Sequence, residues 1–432
     1  MSHSTKTLVK RTILVTGGRI ALLALWFAAI TMVYRQLGLQ PNGLAQAGVL
    51  AFSLATIKMF TIALGDPLDM DVVRRVPPIL NGDPQEAVAI WRAAQQIRIG
   101  LAICLISLGA IFARPLAELF LDGKQWSFAV FMAAVAASFE LLYRGYLSDL
   151  QSRERFDRFL WLEACLQGVR LLAISGLWLS GGLNVKSFLV AYALSTFLVT
   201  IGAFAVSGNA RRQLLIFCAR TSRQTWQYVR WIAPAMILGA AVERFDLFML
   251  SAIKGPDEGG LYGALIPLIM VPEVVIAFSI NVLQPRISDL SAQGALLHFW
   301  ASILKLTVPL ALAGAIIAYF FAETIISLSI GPSYLASAPA FRLLFVAVMI
   351  WFAVVPVPMS YVVMTQPQTT LAITLVQAVV MLVVGWLAIP SYGAFGAALA
   401  VLLTRSIAAA LICGFAYYLL KSPASKQETN PT

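Results

Sequence analysis

Charge is scarce in this sequence: only 12% of its 432 residues are Asp, Glu, Lys or Arg, against roughly 25% in an ordinary soluble domain. Histidine occurs twice, at His3 and His298, and the four cysteines, Cys104, Cys165, Cys218 and Cys413, lie far apart with no C-x-x-C pair. A zinc site or a disulfide framework therefore has almost nothing to be built from. The sequence also lacks G-x-x-x-x-G-K-[ST], H-E-x-x-H and G-x-S-x-G, so neither ATP binding by a P-loop nor the common hydrolytic sites are expected. The expectation is a protein that is not an enzyme and carries no cofactor. Its formal charge of +11 does not point to nucleic acid, because the basic loops lack the interleaved aromatics of a single-strand groove.

What is present is apolar sequence, 60% of residues, with a mean hydropathy of +0.83. Cutting at charged and Pro/Gly-rich breaks leaves stretches at 13–34, 44–65, 98–120, 127–149, 159–180, 185–207, 231–253, 261–283, 303–326, 339–364, 369–390 and 394–420. Each has about the 20 residues needed to cross a hydrocarbon core roughly 30 Å thick. They are continuously apolar, whereas barrel strands alternate over roughly 10 residues. The fold class expected is all-α: a polytopic membrane protein of about twelve transmembrane helices. Residues 13–34 read as a retained first helix, too long and without the small-residue cleavage pattern of a signal peptide.

With the N-terminus in the cytoplasm, seventeen Lys and Arg fall in cytoplasmic segments and five in the opposite loops. The positive-inside rule then puts both termini in the cytoplasm, and an even helix count agrees. Anionic headgroups account for the basic face, so membrane lipids are expected partners.

Gly43-Leu44 with Ala47 and Gly260-Leu261 with Ala264 both read G-L-x-x-A, 217 residues apart. Leu119–Gly123 and Ser327–Gly331 form a second weak echo. With the basic stretch 208–230 at the centre, these imply two six-helix lobes, 1–207 and 231–432, joined by a basic cytoplasmic linker. Repeats of even helix number are parallel, and a substrate path between the lobes is expected. Residues 66–95 read as a cytoplasmic loop in which Ala87, Val88, Ile90, Trp91 and Ala94 form a surface-lying amphipathic helix. Pro356-Val357-Pro358 is the strongest break inside a span.

Ionisable residues inside the spans mark function, since each costs at least about 2.5 to 3.5 kcal/mol at the bilayer centre. Arg19, Lys58 and Arg144 fall roughly 7 to 10 Å from the cytoplasmic ends of their helices at about 1.5 Å per residue, where they suit an anionic cargo. Arg170 and Arg244 complete the candidate cargo contacts. Arg144 follows Glu140 at i+4 and Arg170 follows Glu163 at i+7, so both also read as neutralised partners of carboxylates on their own helices. Arg19 and Lys58 have no acidic neighbour in their helices and read equally as snorkelling to headgroups. Glu243 and Asp246, three apart on one helical face, with Glu273, are candidates for H⁺ or Na⁺ coupling; a salt-bridge network is the alternative.

Tyr34-Arg35-Gln36-Leu37-Gly38, Pro234, Asp246, Gly263 and Asn281-Val282-Leu283-Gln284-Pro285-Arg286 together resemble the Wzx-type polysaccharide flippases. The second half extends this: Gly331-Pro332-Ser333-Tyr334-Leu335-Ala336-Ser337-Ala338-Pro339 resembles the family's G-x-x-Y-x-x-A turn, and Pro390-Ser391-Tyr392-Gly393-Ala394-Phe395-Gly396-Ala397-Ala398 its P-x-x-G-x-x-G-A-A lead into the last helix. The resemblance implies the superfamily that also holds MATE-type exporters and lipid II flippases. It implies flipping of undecaprenyl-diphosphate-linked oligosaccharide repeat units across the bacterial inner membrane for exopolysaccharide or O-antigen synthesis. Polysaccharide polymerase and chain-length machinery are the partners it implies. A MATE-type drug/cation antiporter is the alternative. A polymerase or O-antigen ligase fits less well, because the long outer loop expected of one is missing.

Overall fold

The computed structural model describes residues 3–80, 82–206, 219–292 and 295–421, and every regular element among them is helical. The chain divides into two compact units, one up to Ala241 and one from Val242. Residues 208–218 of the expected linker lie outside the described residues, and from Ala219 onward that stretch is helix.

The first unit holds α1 (His3–Leu37), α2 (Gly43–Ile79), α3 (Pro84–Leu121), α4 (Ser127–Ser152), α5 (Phe156–Leu179), α6 (Val185–Val206) and α7 (Ala219–Val242). Helix α4 is central, packed against α2, α3 and α6. Its small residues, among them Ala129, Ala133, Ala136, Ala137 and Ser138, are buried. They let neighbouring backbones approach closely, which is how helices associate when lipid removes the hydrophobic drive.

Residues 66–95 are not a loop, contrary to the expectation above. Helices α2 and α3 run to within a few residues of each other, and Asp83 caps α3 by accepting from the backbone N–H of Gln85 and Glu86, both at 3.0 Å. At about 1.5 Å per residue, the 37 residues of α2 far exceed a roughly 30 Å core, so the α2–α3 hairpin projects beyond it. Ala87, Ile90 and Ala94 pack on Leu68, Val72, Val76 and Val229 instead of lying on a membrane surface. The apolar stripe was real, but its partners are helices. Helix α7 closes over this hairpin: Arg75 donates to Gln224 Oε1 at 2.8 Å and to Thr225 Oγ1 at 3.3 Å, and Arg74 stacks on Tyr228.

The second unit holds α8 (Phe245–Gly263), α9 (Ile266–Ala292), α10 (Leu296–Ser329), α11 (Ala338–Val354), α12 (Pro356–Thr365) and α13 (Pro367–Lys421). Among the described residues, nine helices are long and apolar enough to cross a membrane, or ten with the bent pair α8–α9. The difference from twelve arises where the chain reverses inside a nominal helix. Gly255 (φ 82°) interrupts α8, and a Cβ at Gly259 would meet Ser251 Oγ at 2.7 Å. Residues eight apart in a straight helix are about 12 Å apart, so α8 is a hairpin. Gly393 (φ 53°) does the same in α13, where a Cβ at Gly396 would strike the Ala388 carbonyl. Both reversals need the positive φ that glycine takes without cost, and both fall at loops expected from sequence. The break at Val355, before Pro356, is present too.

The weak sequence echoes also correspond. Helix α3 ends in left-handed Asp122 and a 3₁₀ turn at Lys124–Trp126; helix α10 ends at Gly331 (φ 104°) and a 3₁₀ turn at Pro332–Ser337. Much large apolar surface faces outward, as with Leu306, Leu310, Ile316 and Phe320 of α10. Water would not tolerate so continuous a patch on a monomer, but hydrocarbon does.

Candidate substrate site

Three tiers of paired charge stand along the helices of the first unit. The first joins α2, α3 and α4. Arg144 of α4 lies 2.5 Å from Asp66 Oδ1 and 3.1 Å from Asp69 Oδ2, and donates to the Thr61 carbonyl at 3.3 Å. Asp69 Oδ1 accepts from Arg98 at 2.5 Å, so one carboxylate bridges two guanidinium groups. Arg98 is fully buried and also donates to Gln95 Oε1 at 3.4 Å. Trp91, Gln95 and Arg98 follow i, i+4, i+7 and share a face of α3. They reach α4 where it is slimmest: Trp91 donates to the Gly145 carbonyl at 2.8 Å, Gln95 to the Leu142 carbonyl at 3.1 Å, and any Cβ at Gly145 would overlap Gln95.

The second tier is Arg19, 3.4 Å from Glu163 of α5 and stacked on Phe159. The third is Arg170, which lies 3.3 Å from Glu140, donates to Thr196 Oγ1 at 2.9 Å and stacks 3.8 Å over Tyr192 and 5.7 Å from Trp26. Tyr192 in turn donates to Glu140 at 2.7 Å. At about 1.5 Å per residue, Arg170 lies roughly 14 Å from the Leu179 end of α5, Arg19 about 27 Å from Leu37 and Asp66 about 35 Å from Gly43. The tiers thus descend from mid-membrane to the end opposite the α1–α2 turn.

Both same-helix pairings expected from sequence are replaced. Glu140 pairs with Arg170 and not with Arg144, Glu163 with Arg19 and not with Arg170, and Arg144 with the α2 aspartates. Arg19 has an acidic partner after all, across the α1–α5 contact. A shared helix face makes a pair sterically available, but helix packing brings a better-placed carboxylate from the neighbour. Lys58 is exposed on α2. Sequence reasoning missed Arg98, Asp66 and Asp69 because they stand at the edge of a span and in a presumed loop. The i, i+4, i+7 polar stripe in α3 was the signal that could have found them.

In the second unit, Glu243 and Asp246 do not share a helical face. The helix breaks between Val242 and Phe245, leaving Glu243 exposed in the turn and Arg244 at the start of α8. Asp246 is buried, accepting from Tyr262 Oη at 2.5 Å and from the Leu247 N–H at 2.8 Å, which satisfies a backbone donor freed by the break. Glu273 lies 2.5 Å from Arg405 of α13. Among the described residues no three His, Cys, Asp or Glu side chains are gathered to hold a metal ion. Asp246→Ala is expected to cost about 1–3 kcal/mol, since it strands the Tyr262 hydroxyl, and Asp246→Ala with Tyr262→Phe to cost less. Thermal unfolding in detergent compares the two.

Residues 20–291 match the model of the polysaccharide biosynthesis protein family. The chain belongs to this family. Its fold is shared with solved transporters of low identity. One is an inward-facing multidrug resistance MATE family transporter of the MOP superfamily, 15% identical, with a TM-score of 0.74 over 94% of this chain and 96% of that one. Another is the lipid II flippase MurJ in its inward closed conformation, 13% identical, TM-score 0.73, over 96% and 90%. A third is a MOP superfamily transporter from Pyrococcus furiosus described as having a binding pocket of reverse polarity, 15% identical, TM-score 0.63, over 97% and 96%. No curated protein matches the sequence. This polysaccharide biosynthesis family member is thus a multi-pass membrane protein of MATE-like fold.

Proposed function

We propose that the protein flips undecaprenyl-diphosphate-linked oligosaccharide repeat units from the cytoplasmic to the outer leaflet of the bacterial inner membrane by alternating access, both termini being cytoplasmic. The flipped unit feeds exopolysaccharide or O-antigen synthesis by a polymerase and its chain-length machinery. One observation carries the reading: Arg144, partly exposed, sits beside Arg98 at the deep end of the first unit, in a chain of the polysaccharide biosynthesis family. A guanidinium fork suits diphosphate, pairing two N–H groups with two oxygens. A cationic drug offers a guanidinium no oxygens to pair with, which disfavours the antiporter alternative. Arg19 and Lys58, higher along the same unit, receive the phosphates in passage. The energy comes from an ion gradient, with Asp246 and Glu273 as the coupling carboxylates, or from removal of product by polymerisation.

Translocation of labelled lipid-linked oligosaccharide in proteoliposomes tests the assignment. Transport by the wild-type chain is expected, with a loss of about a hundredfold in the Arg19→Ala/Lys58→Ala double variant, about tenfold for each charge-assisted contact removed. Undiminished transport by the double variant would remove both residues from the path. Vesicles that expel organic cations but flip no lipid would transfer the assignment to a drug antiporter.

A further inference from the structure

The Arg144 site is already occupied by carboxylate, and the two carboxylates are not equivalent. Asp69 is committed: its Oδ1 holds Arg98, whose side chain is 0% exposed, and its Oδ2 holds Arg144. Its own side chain is 18% exposed. Asp66 and Arg144 are instead 31% and 29% exposed. The cluster has a locked half, Asp69–Arg98, and a reachable half, Asp66–Arg144. Two arginines and two aspartates also sum to zero charge, so the cluster as a whole has no attraction for anions at long range.

We propose that Asp66 is an internal stand-in for phosphate, holding Arg144 until a diphosphate displaces it, and so acts as a charge filter on the cargo. The inference rests on the reading that Arg144 receives the diphosphate. Asp66 holds Arg144 through one oxygen, Oδ1, on the same Nη2 that Asp69 Oδ2 reaches, and a phosphate oxygen can take the place of Oδ1 without moving Arg144. Asp69 stays bonded through the exchange and keeps the guanidinium aimed. The Thr61 carbonyl, 3.3 Å from Nη1, steadies it further. Asp66, about 35 Å along α2 from Gly43 at 1.5 Å per residue, lies near the membrane boundary, where water can solvate it once displaced.

Competition with a built-in carboxylate favours the ligand of higher charge. A diphosphate carries more negative charge than the single carboxylate it displaces and wins; a lipid monophosphate gains less and is held back. Without Asp66 the cluster carries one net positive charge, and any phosphate meets an arginine held by Asp69 alone. Loss of Asp66 therefore predicts tighter binding with poorer discrimination, a signature that a merely structural salt bridge would not produce.

The experiment measures binding of undecaprenyl diphosphate and undecaprenyl monophosphate to the full chain in nanodiscs, for wild type, Asp66→Asn and Arg144→Gln. Asp66→Asn is expected to bind the diphosphate about tenfold tighter, the scale of one charge-assisted contact no longer contested, and to gain more for the monophosphate, so that the preference between them narrows. Arg144→Gln is expected to lose affinity for both. If Asp66→Asn does not elute as a folded species, Asp66→Ser is measured in its place. Arg144→Gln weakened, with the Asp66 variants at wild-type affinity and preference, overturns the filter and leaves the site standing. Arg144→Gln at wild-type affinity overturns the site and the filter together.

Discussion

Asp69→Ala is expected to be the most destabilising single substitution in the first unit. It deprives the fully buried Arg98 of its carboxylate and leaves it the Gln95 hydrogen bond, and removing one partner of a buried ion pair costs about 3–5 kcal/mol. Thermal unfolding in detergent should show a large drop in midpoint. The decisive control is Asp69→Leu with Arg98→Met, since replacing both charges with apolar side chains of similar size is often neutral. The double variant should therefore be clearly more stable than Asp69→Ala. Equal loss in the two would mean that Arg98 is not held by Asp69. Arg144 keeps Asp66 in each variant, so the comparison isolates the locked half of the cluster.

Arg144→Gln is expected to fold and to fail in transport. Arg98 keeps Asp69, so no fully buried charge is stranded, and the reachable half of the cluster loses only its cation. One charge-assisted contact to phosphate is worth about 1.5–3 kcal/mol, so translocation below saturation should fall roughly tenfold to a hundredfold. Arg144→Lys should recover part of this, because an ammonium keeps the charge but not the planar fork. Initial rates in proteoliposomes across cargo concentrations check both variants. Transport by Arg144→Lys at or below the level of Arg144→Gln would argue that packing, and not charge, is what Arg144 supplies.

Much of the fold was legible in the sequence because a membrane imposes a local rule. Every span must be apolar for about 20 residues and must satisfy its own backbone, so hydropathy alone marked the helices. The reversals at Gly255 and Gly393 were legible for the same reason, as short polar or Gly/Pro-bearing breaks between apolar runs. Val355 was marked by the prolines that follow it. The stretch 66–95 was not, since charge density usually means water and loops. Here Asp66, Asp69 and Asp71 sit on a helix that outruns the bilayer, with Asp71 held by Arg74 and Arg75.

The candidate site was legible in its ingredients and not in its arrangement. Arg19, Arg144 and Arg170 stood out because arginine in an apolar span is costly. Their partners were misread because i+4 and i+7 spacing describes one helix, while Glu140, Glu163 and Asp69 meet arginines of other helices. By itself the sequence determined the solvent, the helices, most of the breaks between them and which charges had to be buried, since all of these follow from short-range hydropathy and backbone chemistry. Only the tertiary structure decided which charges neutralise one another and that Arg98 belongs among them. An ion pair between helices depends on crossing geometry and on a slim contact such as Gly145, and those come from packing along the whole chain.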